Sequence, residues 1–147
     1  MATKTLTGAC LCGKITYAID LPSSEPNPKV TVCHCISCKR YTGSAFSTNI
    51  MVPVSALKYT SSTQPTVFMD NSADSGKPLP RAICANCATH FTSTPGDGTY
   101  TFLKWGTLDD EGRQACSEVG GEIYCKRRDD WVVKLGNEVW SRAEGMS

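Results

Sequence analysis

A chain of 147 residues, 40% hydrophobic and 20% charged, has the balance of a globular protein rather than of a disordered or membrane-spanning one. It contains no apolar run of the roughly 18 residues that a spanning helix needs. A formal net charge of +1 and a single lysine among the first ten residues leave no basic stripe for nucleic acid, and the length suits one domain covering residues 1–147.

At the N-terminus, Met1–Leu6 lacks the apolar core of a secretory signal, so the expected location is the cytoplasm. Cys10 and Cys12 follow at once. Period-two alternation then puts Ile15, Tyr17, Ile19 and Leu21 on one side of a strand. Pro22–Lys29 mixes Pro, Ser and Asn without periodicity and is expected as a surface loop. Past Cys33, Cys35 and Cys38, where a short turn of helix is expected through Ser37–Tyr41, alternation returns at Phe46, Thr48, Ile50 and Val52. Thr66–Met69 is a further strand candidate, and Asp70–Pro80 a second irregular loop. Arg81–Cys84, His90–Ser93, Thr99–Trp105, Glu122–Cys125 and Trp131–Leu135 complete the strand candidates. No longer window carries a helical stripe. The expected fold class is therefore mainly β, with short antiparallel sheets, many turns and little helix.

Nine cysteines in a secreted miniprotein would suggest disulfides, but the odd count and the close pairs point to metal. Disulfides between residues as near as Cys10 and Cys12, or Cys33 and Cys35, are strained. The clusters Cys10-x-Cys12, Cys33-x-Cys35-x-x-Cys38 and Cys84-x-x-Cys87 supply two, three and two sulfurs. Zinc takes four ligands in structural sites and keeps a place open in catalytic ones, so two plus two would close one site and three alone would leave another open. Spacing by itself also permits Cys33, Cys35 or Cys38 to join Cys84 and Cys87. Gly13, directly after Cys12, suits the bend that a C-x-C pair needs. With seven thiolates and two zinc ions, the net charge moves from +1 to −2.

The run Thr7-Gly8-Ala9-Cys10-Leu11-Cys12-Gly13-Lys14-Ile15-Thr16-Tyr17, then Cys33-His34-Cys35-Ile36-Ser37-Cys38-Lys39-Arg40 with Gly43-Ser44-Ala45-Phe46, resembles the glutathione-dependent formaldehyde-activating enzyme (GFA) family, also called centromere-protein-V-like. Arg81 before the Cys84–Cys87 knuckle and Gly106-Thr107-Leu108-Asp109-Asp110 continue the resemblance, over roughly residues 7–112. The resemblance implies an Mss4-like zinc-binding β fold, a structural ion on Cys10, Cys12, Cys84 and Cys87, and a catalytic ion on Cys33, Cys35 and Cys38. This chain departs from the family at Ala88, where members usually have glycine, and the Asp70–Pro80 loop has a sequence of its own.

An ion on three thiolates can take a substrate thiol as thiolate, lowering its pKa from about 8.5. With glutathione as co-substrate, the reaction class implied by the resemblance is carbon–sulfur bond formation with formaldehyde to S-hydroxymethylglutathione, or the reverse lysis. Lewis-acid tailoring of another small metabolite by addition, elimination or isomerisation is the alternative enzyme. Outside enzymes stands a binding module of the chromatin or GTPase-contacting kind, and a third reading is a methionine sulfoxide reductase, which would need Cys116 or Cys125 as nucleophile. His34 is the candidate proton shuttle, against ordinary packing. Lys39 and Arg40 are candidates for glutathione's carboxylates, against solvated surface charge. Arg81 is expected to be structural, and His90 to lie near the second ligand shell or on the surface. Asp109 and Asp110 read as a turn rather than a general base. Cys125 is expected in the core and Cys116 exposed; Trp105, Trp131 and Trp140 are expected as core filling, against the alternative that one of them walls the substrate cavity.

Overall fold

The computed structural model describes residues 2–137. Strands β1 (Thr3–Ala9) and β2 (Thr16–Pro22) pair antiparallel around the first cysteine turn, and β5 (Leu57–Tyr59) joins the other edge of β2. Seven strands make the second sheet, in the order β10 (Val119–Ile123), β3 (Val30–Cys33), β4 (Ser47–Pro53), β9 (Tyr100–Lys104), β8 (His90–Ser93), β7 (Leu79–Ile83) and β6 (Thr66–Asp70). All its pairs are antiparallel except β10 with β3. Among the described residues, helix is confined to α1 (Ile36–Thr42), α2 (Asp110–Ala115) and short 3-10 turns. The protein is thus mainly β with little helix, as expected for an Mss4-like zinc-binding fold.

The alternation at Ile15, Tyr17, Ile19 and Leu21 faces inward as expected, none of the four being more than 5% exposed. These side chains pack on Ile50, Val52, Phe91 and Leu103 of the seven-stranded sheet, with Tyr17 and Tyr59 meeting Phe91 edge-on. Burial of this apolar face holds the two sheets together. The opposite face of the large sheet is not the solvent face that alternation suggests: Ser47, Asn49, Arg81, Ser93 and Lys104 are all buried.

Several strands went unrecognised because local composition hides them. β1 is threonine-rich, with only Leu6 and Gly8 buried; β3 is four residues long and β5 three. The Asp109-Asp110 turn is the start of α2. Trp131–Leu135 is no strand; it forms a turn and irregular chain, with Trp131 77% and Val133 74% exposed. Glu122 explains the course of this segment, for its carboxylate accepts the amides of Leu135 at 3.0 Å and Gly136 at 3.1 Å.

The family motifs far from cysteine are structural here. Gly8 bridges Leu108, and a Cβ there would overlap the Tyr17 hydroxyl and the Thr107 carbonyl. Thr107 Oγ1 lies 2.8 Å from the Tyr17 hydroxyl, and Thr7 Oγ1 donates to Asp109 at 2.6 Å. Asp110 pairs with Arg113. The Gly106–Asp110 stretch therefore ties β9 and α2 to β1.

Candidate metal centres and active site

Cys10 and Cys12 sit on the turn between β1 and β2. Gly13 turns the chain at φ 75°, its amide bonding to the Cys10 carbonyl, while the Ile15 amide lies 3.3 Å from Cys10 Sγ. On the other side, Cys84 and Cys87 flank the tight turn from β7 to β8, closed by the Ala88 amide on the Cys84 carbonyl at 2.8 Å. The four sulfurs lie within 4.8 Å of one another, with Cys10 and Cys12 3.5 Å apart and Cys12 and Cys84 3.9 Å apart. Tetrahedral zinc with bonds of about 2.3 Å needs sulfurs about 3.8 Å apart, so this set fits the ion. Thr89 braces the cage: its hydroxyl accepts the Leu11 amide at 3.0 Å and lies 3.2 Å from Cys87 Sγ. Contacts from the Thr89 hydroxyl and backbone bring the Cys87 thiol down to about 5.

The second set is more deeply placed. Cys33 ends β3, Cys35 caps the N-terminus of α1, and Cys38 lies in its first turn; all three are buried. The Cys38 amide donates to Cys35 Sγ at 3.2 Å, and Gly43, at φ 64°, ends the helix. The three sulfurs again lie within 4.8 Å, Cys35 and Cys38 only 2.8 Å apart, with no fourth ligand grouped with them among the described residues. Three buried thiols so close cannot all ionise by themselves: contacts with Cys33 and Cys35 lower Cys38, while Cys33 is pushed up. A cation is what lets such a set act as three thiolates, which again suits zinc.

All three sulfurs open on one cavity of about 80 Å³. Its far wall is the polar face of the large sheet, where Asn49, Ser93, Arg81 and Lys104 come from four adjacent strands, and Leu79, Pro95, Phe102 and Tyr124 supply apolar surface. Residues 73–75 of the irregular loop complete it. This loop is stitched to α1: Asp74 accepts the Ile36 amide at 3.1 Å and pairs with Arg127 at 2.7 Å. The loop expected to lie on the surface is thus a wall of the site. Tyr124 reaches the cavity from a backbone at φ 55°, a left-handed conformation rare for a bulky residue.

Lys104 is the residue that sequence patterning missed. It is 8% exposed, and its Nζ donates to Asn49 Oδ1 at 2.6 Å and Ser93 Oγ at 3.1 Å. Burial depresses its amine to about 8, with the neighbouring Arg81 cation acting the same way and the cysteine cluster opposing. Arg81, by contrast, has a carboxylate of its own, meeting Asp70 at 2.8 and 2.9 Å and Ser93 at 2.6 Å. Asp70 itself, expected in a loop, ends β6 as a buried residue.

The other candidates fall elsewhere. His34 is wholly buried with Nε2 2.8 Å from Glu122, against the ring of Phe46, and does not line the cavity. Glu122 also meets Arg128 at 3.1 Å. Lys39 is drawn to Asp129 at 2.9 Å. Arg40 is exposed and lines a separate cavity with Tyr41, Phe68 and His90, where His90 stacks on Tyr41 with centroids 4.6 Å apart. Cys116, expected exposed, is 1% exposed in the main core, since Trp105 covers it and donates to its carbonyl at 3.0 Å. Cys125, expected in the core, is half-buried in a 3-10 turn. Trp105 packs against the core, Trp131 is exposed, and Trp140 lies outside the described residues.

Residues 5–127 match the family model described as glutathione-dependent formaldehyde-activating enzyme. No curated protein matches the chain. Among solved structures, that of a Rhodobacter sphaeroides protein is similar at 14% identity and a TM-score of 0.54, over 71% of this chain and 88% of that one, which is a likeness of fold.

Proposed function

The chain belongs to the glutathione-dependent formaldehyde-activating enzyme family, and we propose that it is a zinc-dependent carbon–sulfur lyase-type enzyme, making or breaking the thiol adduct of a small carbonyl compound. One observation carries this: a three-sulfur set with no fourth protein ligand grouped with it opens on a small cavity. In the proposal Cys10, Cys12, Cys84 and Cys87 hold a structural zinc, and Cys33, Cys35 and Cys38 a catalytic one. Zinc on the trio would supply the charge that keeps a substrate thiol anionic near neutral pH.

The remaining roles belong to the chain. The Cys38 amide of α1 supports Cys35, and the apolar wall of Leu79, Pro95 and Phe102 keeps water from the reacting atoms. A cavity of about 80 Å³ admits the thiol carbon and a small carbonyl but not a whole tripeptide, so the body of glutathione would lie outside it. Of the two cations expected to meet its carboxylates, Lys39 is already drawn to Asp129, and the proposal gives that contact to exposed Arg40. His34, anchored on Glu122, is assigned to holding the Cys33–Cys35 segment rather than to proton transfer.

The test is adduct formation from glutathione and formaldehyde, followed by exchange NMR with zinc-loaded protein. Wild type should accelerate both formation and lysis, and Cys35→Ser should lose at least a hundredfold. Equal rates in the two proteins would rule out a catalytic trio.

A further inference from the structure

The large sheet carries a buried cation that the proposed zinc chemistry does not use. Lys104 sits on central strand β9, and among the described residues no carboxylate pairs with it. An ammonium taken out of water without an anion is strongly disfavoured. The negative charge closest to hand is that of the cysteine trio, and a zinc ion held there would take up most of it, which leaves the ammonium for an anion bound in the cavity. Its two hydrogen-bond partners, Asn49 and Ser93, are neutral and hold it without cancelling its charge. Asn49 gives its amide hydrogens to Thr31 O at 3.1 Å and Ser47 Oγ at 2.9 Å, which fixes Oδ1 toward Lys104. Ser93 is held in turn by Arg81. The ring of Tyr41 lies below, its centroid 5.1 Å from Nζ. Two of the three ammonium hydrogens are thereby directed to Asn49 and Ser93, and among the described residues the third meets no acceptor.

We propose that Lys104 is a catalytic residue that recognises oxygen in this cavity, its third N–H taking the carbonyl oxygen of the small co-substrate and, in its place, a small carboxylate. This rests on the proposed function and extends it by assigning the second half of the reaction. As the sulfur–carbon bond forms, the carbon–oxygen π pair moves onto oxygen, and the growing negative charge meets the fixed ammonium. The proton given up by the thiol ends on the new hydroxyl, so thiol plus carbonyl equals adduct. The reverse step breaks the same sulfur–carbon bond. A fixed donor in a cavity with apolar walls is worth far more to a developing oxyanion than the same donor in water. The arrangement favours small carbonyl compounds, because oxygen must reach Lys104 while carbon stays beside the trio within about 80 Å³.

The test uses formate as the carboxylate probe, titrated by calorimetry onto zinc-loaded wild type, Lys104→Met and Lys104→Arg, with zinc content and adduct kinetics measured on the same samples. Lys104→Met keeps the stem and removes the charge. It should keep its zinc, bind formate at least tenfold more weakly, and lose roughly a hundredfold in kcat/KM, in line with removal of one oxyanion donor. Lys104→Arg should recover part of the formate affinity. Unchanged formate binding in zinc-loaded Lys104→Met overturns the assignment, as does loss of zinc with formate affinity intact in the loaded fraction, since Lys104 would then serve only to balance thiolate charge. A wild type that makes no adduct but binds formate through Lys104 would remove the functional proposal and support the recognition role, so the two failures are separable.

Discussion

Ala88 stands where the family usually has glycine, and the backbone has kept the glycine conformation at φ 62°. The Cβ of alanine is strained there, so Ala88→Gly should stabilise the zinc-loaded protein by about 1 kcal/mol in urea denaturation, less the extra freedom glycine has when unfolded. The Asp70–Arg81 pair makes a larger claim. Burial would raise Asp70, but hydrogen bonds from Ser72 and Arg81 outweigh it and bring the carboxyl down to about 2 from the ordinary 3.8. Its folded-state pKa is depressed, so its contribution is present above about pH 4 and lost as pH falls toward 2. Arg81→Met should cost about 3 kcal/mol near neutral pH by leaving a buried carboxylate unpaired. The gap between wild type and Asp70→Asn should shrink through that acid window. That the seven clustered cysteines gather into a four-sulfur and a three-sulfur group was legible because residues able to share a metal ion recur at short, fixed spacings. Lys104 was not, since a lysine alternating with Thr101 and Leu103 looks like any solvent-facing position. Only the cover of α1 and the loop over that face makes it interior.

Elements built on the two sulfur sets should respond differently to loss of one ligand. The four-sulfur cage joins the β1–β2 turn to the β7–β8 turn, which lie in different sheets, so Cys84→Ser should cut a cross-link and abolish cooperative thermal unfolding. Cys35→Ser removes a ligand from the end of a short helix that is also held by Asp74 and by the Ser37 hydroxyl on the Ser72 carbonyl. It should keep its near-UV circular dichroism and lower Tm by only a few degrees. The inward alternation of β2 could be read directly from sequence because one face meets a core and the other does not. β3, β5 and α2 could not, since each is too short to show a period, and their existence depends on partners distant in sequence. Trp131–Leu135 misled for the complementary reason: it alternates like a strand but is drawn by its amides to a buried carboxylate.

For the molecule as a whole, the two candidate centres differ in exposure, which bears on metal release. Cys12 is exposed and Cys87 half-buried in the cage, whereas every sulfur of the trio is buried but faces a cavity. Purified protein should carry about two zinc ions per chain. Stepwise chelation should remove one of them with loss of activity and retained β-sheet circular dichroism, and the second only with unfolding. A single cooperative loss of both would mean that the trio is as structural as the cage.

The parallel pairing of β10 with β3 has a consequence for how the nascent chain matures. Cys33, Cys35 and Cys38 leave the ribosome early, yet the strand and the Glu122 hub that brace them from behind are translated close to 90 residues later. Cys84 and Cys87 emerge well before that strand, so the cage can close while the cleft still lacks its back wall. With zinc in the cage as proposed, a ribosome paused between these points would hold a metal-stapled intermediate whose Cys33, Cys35 and Cys38 thiols are within reach of oxidants and foreign metals, and its passage to safety is set by the rate of elongation.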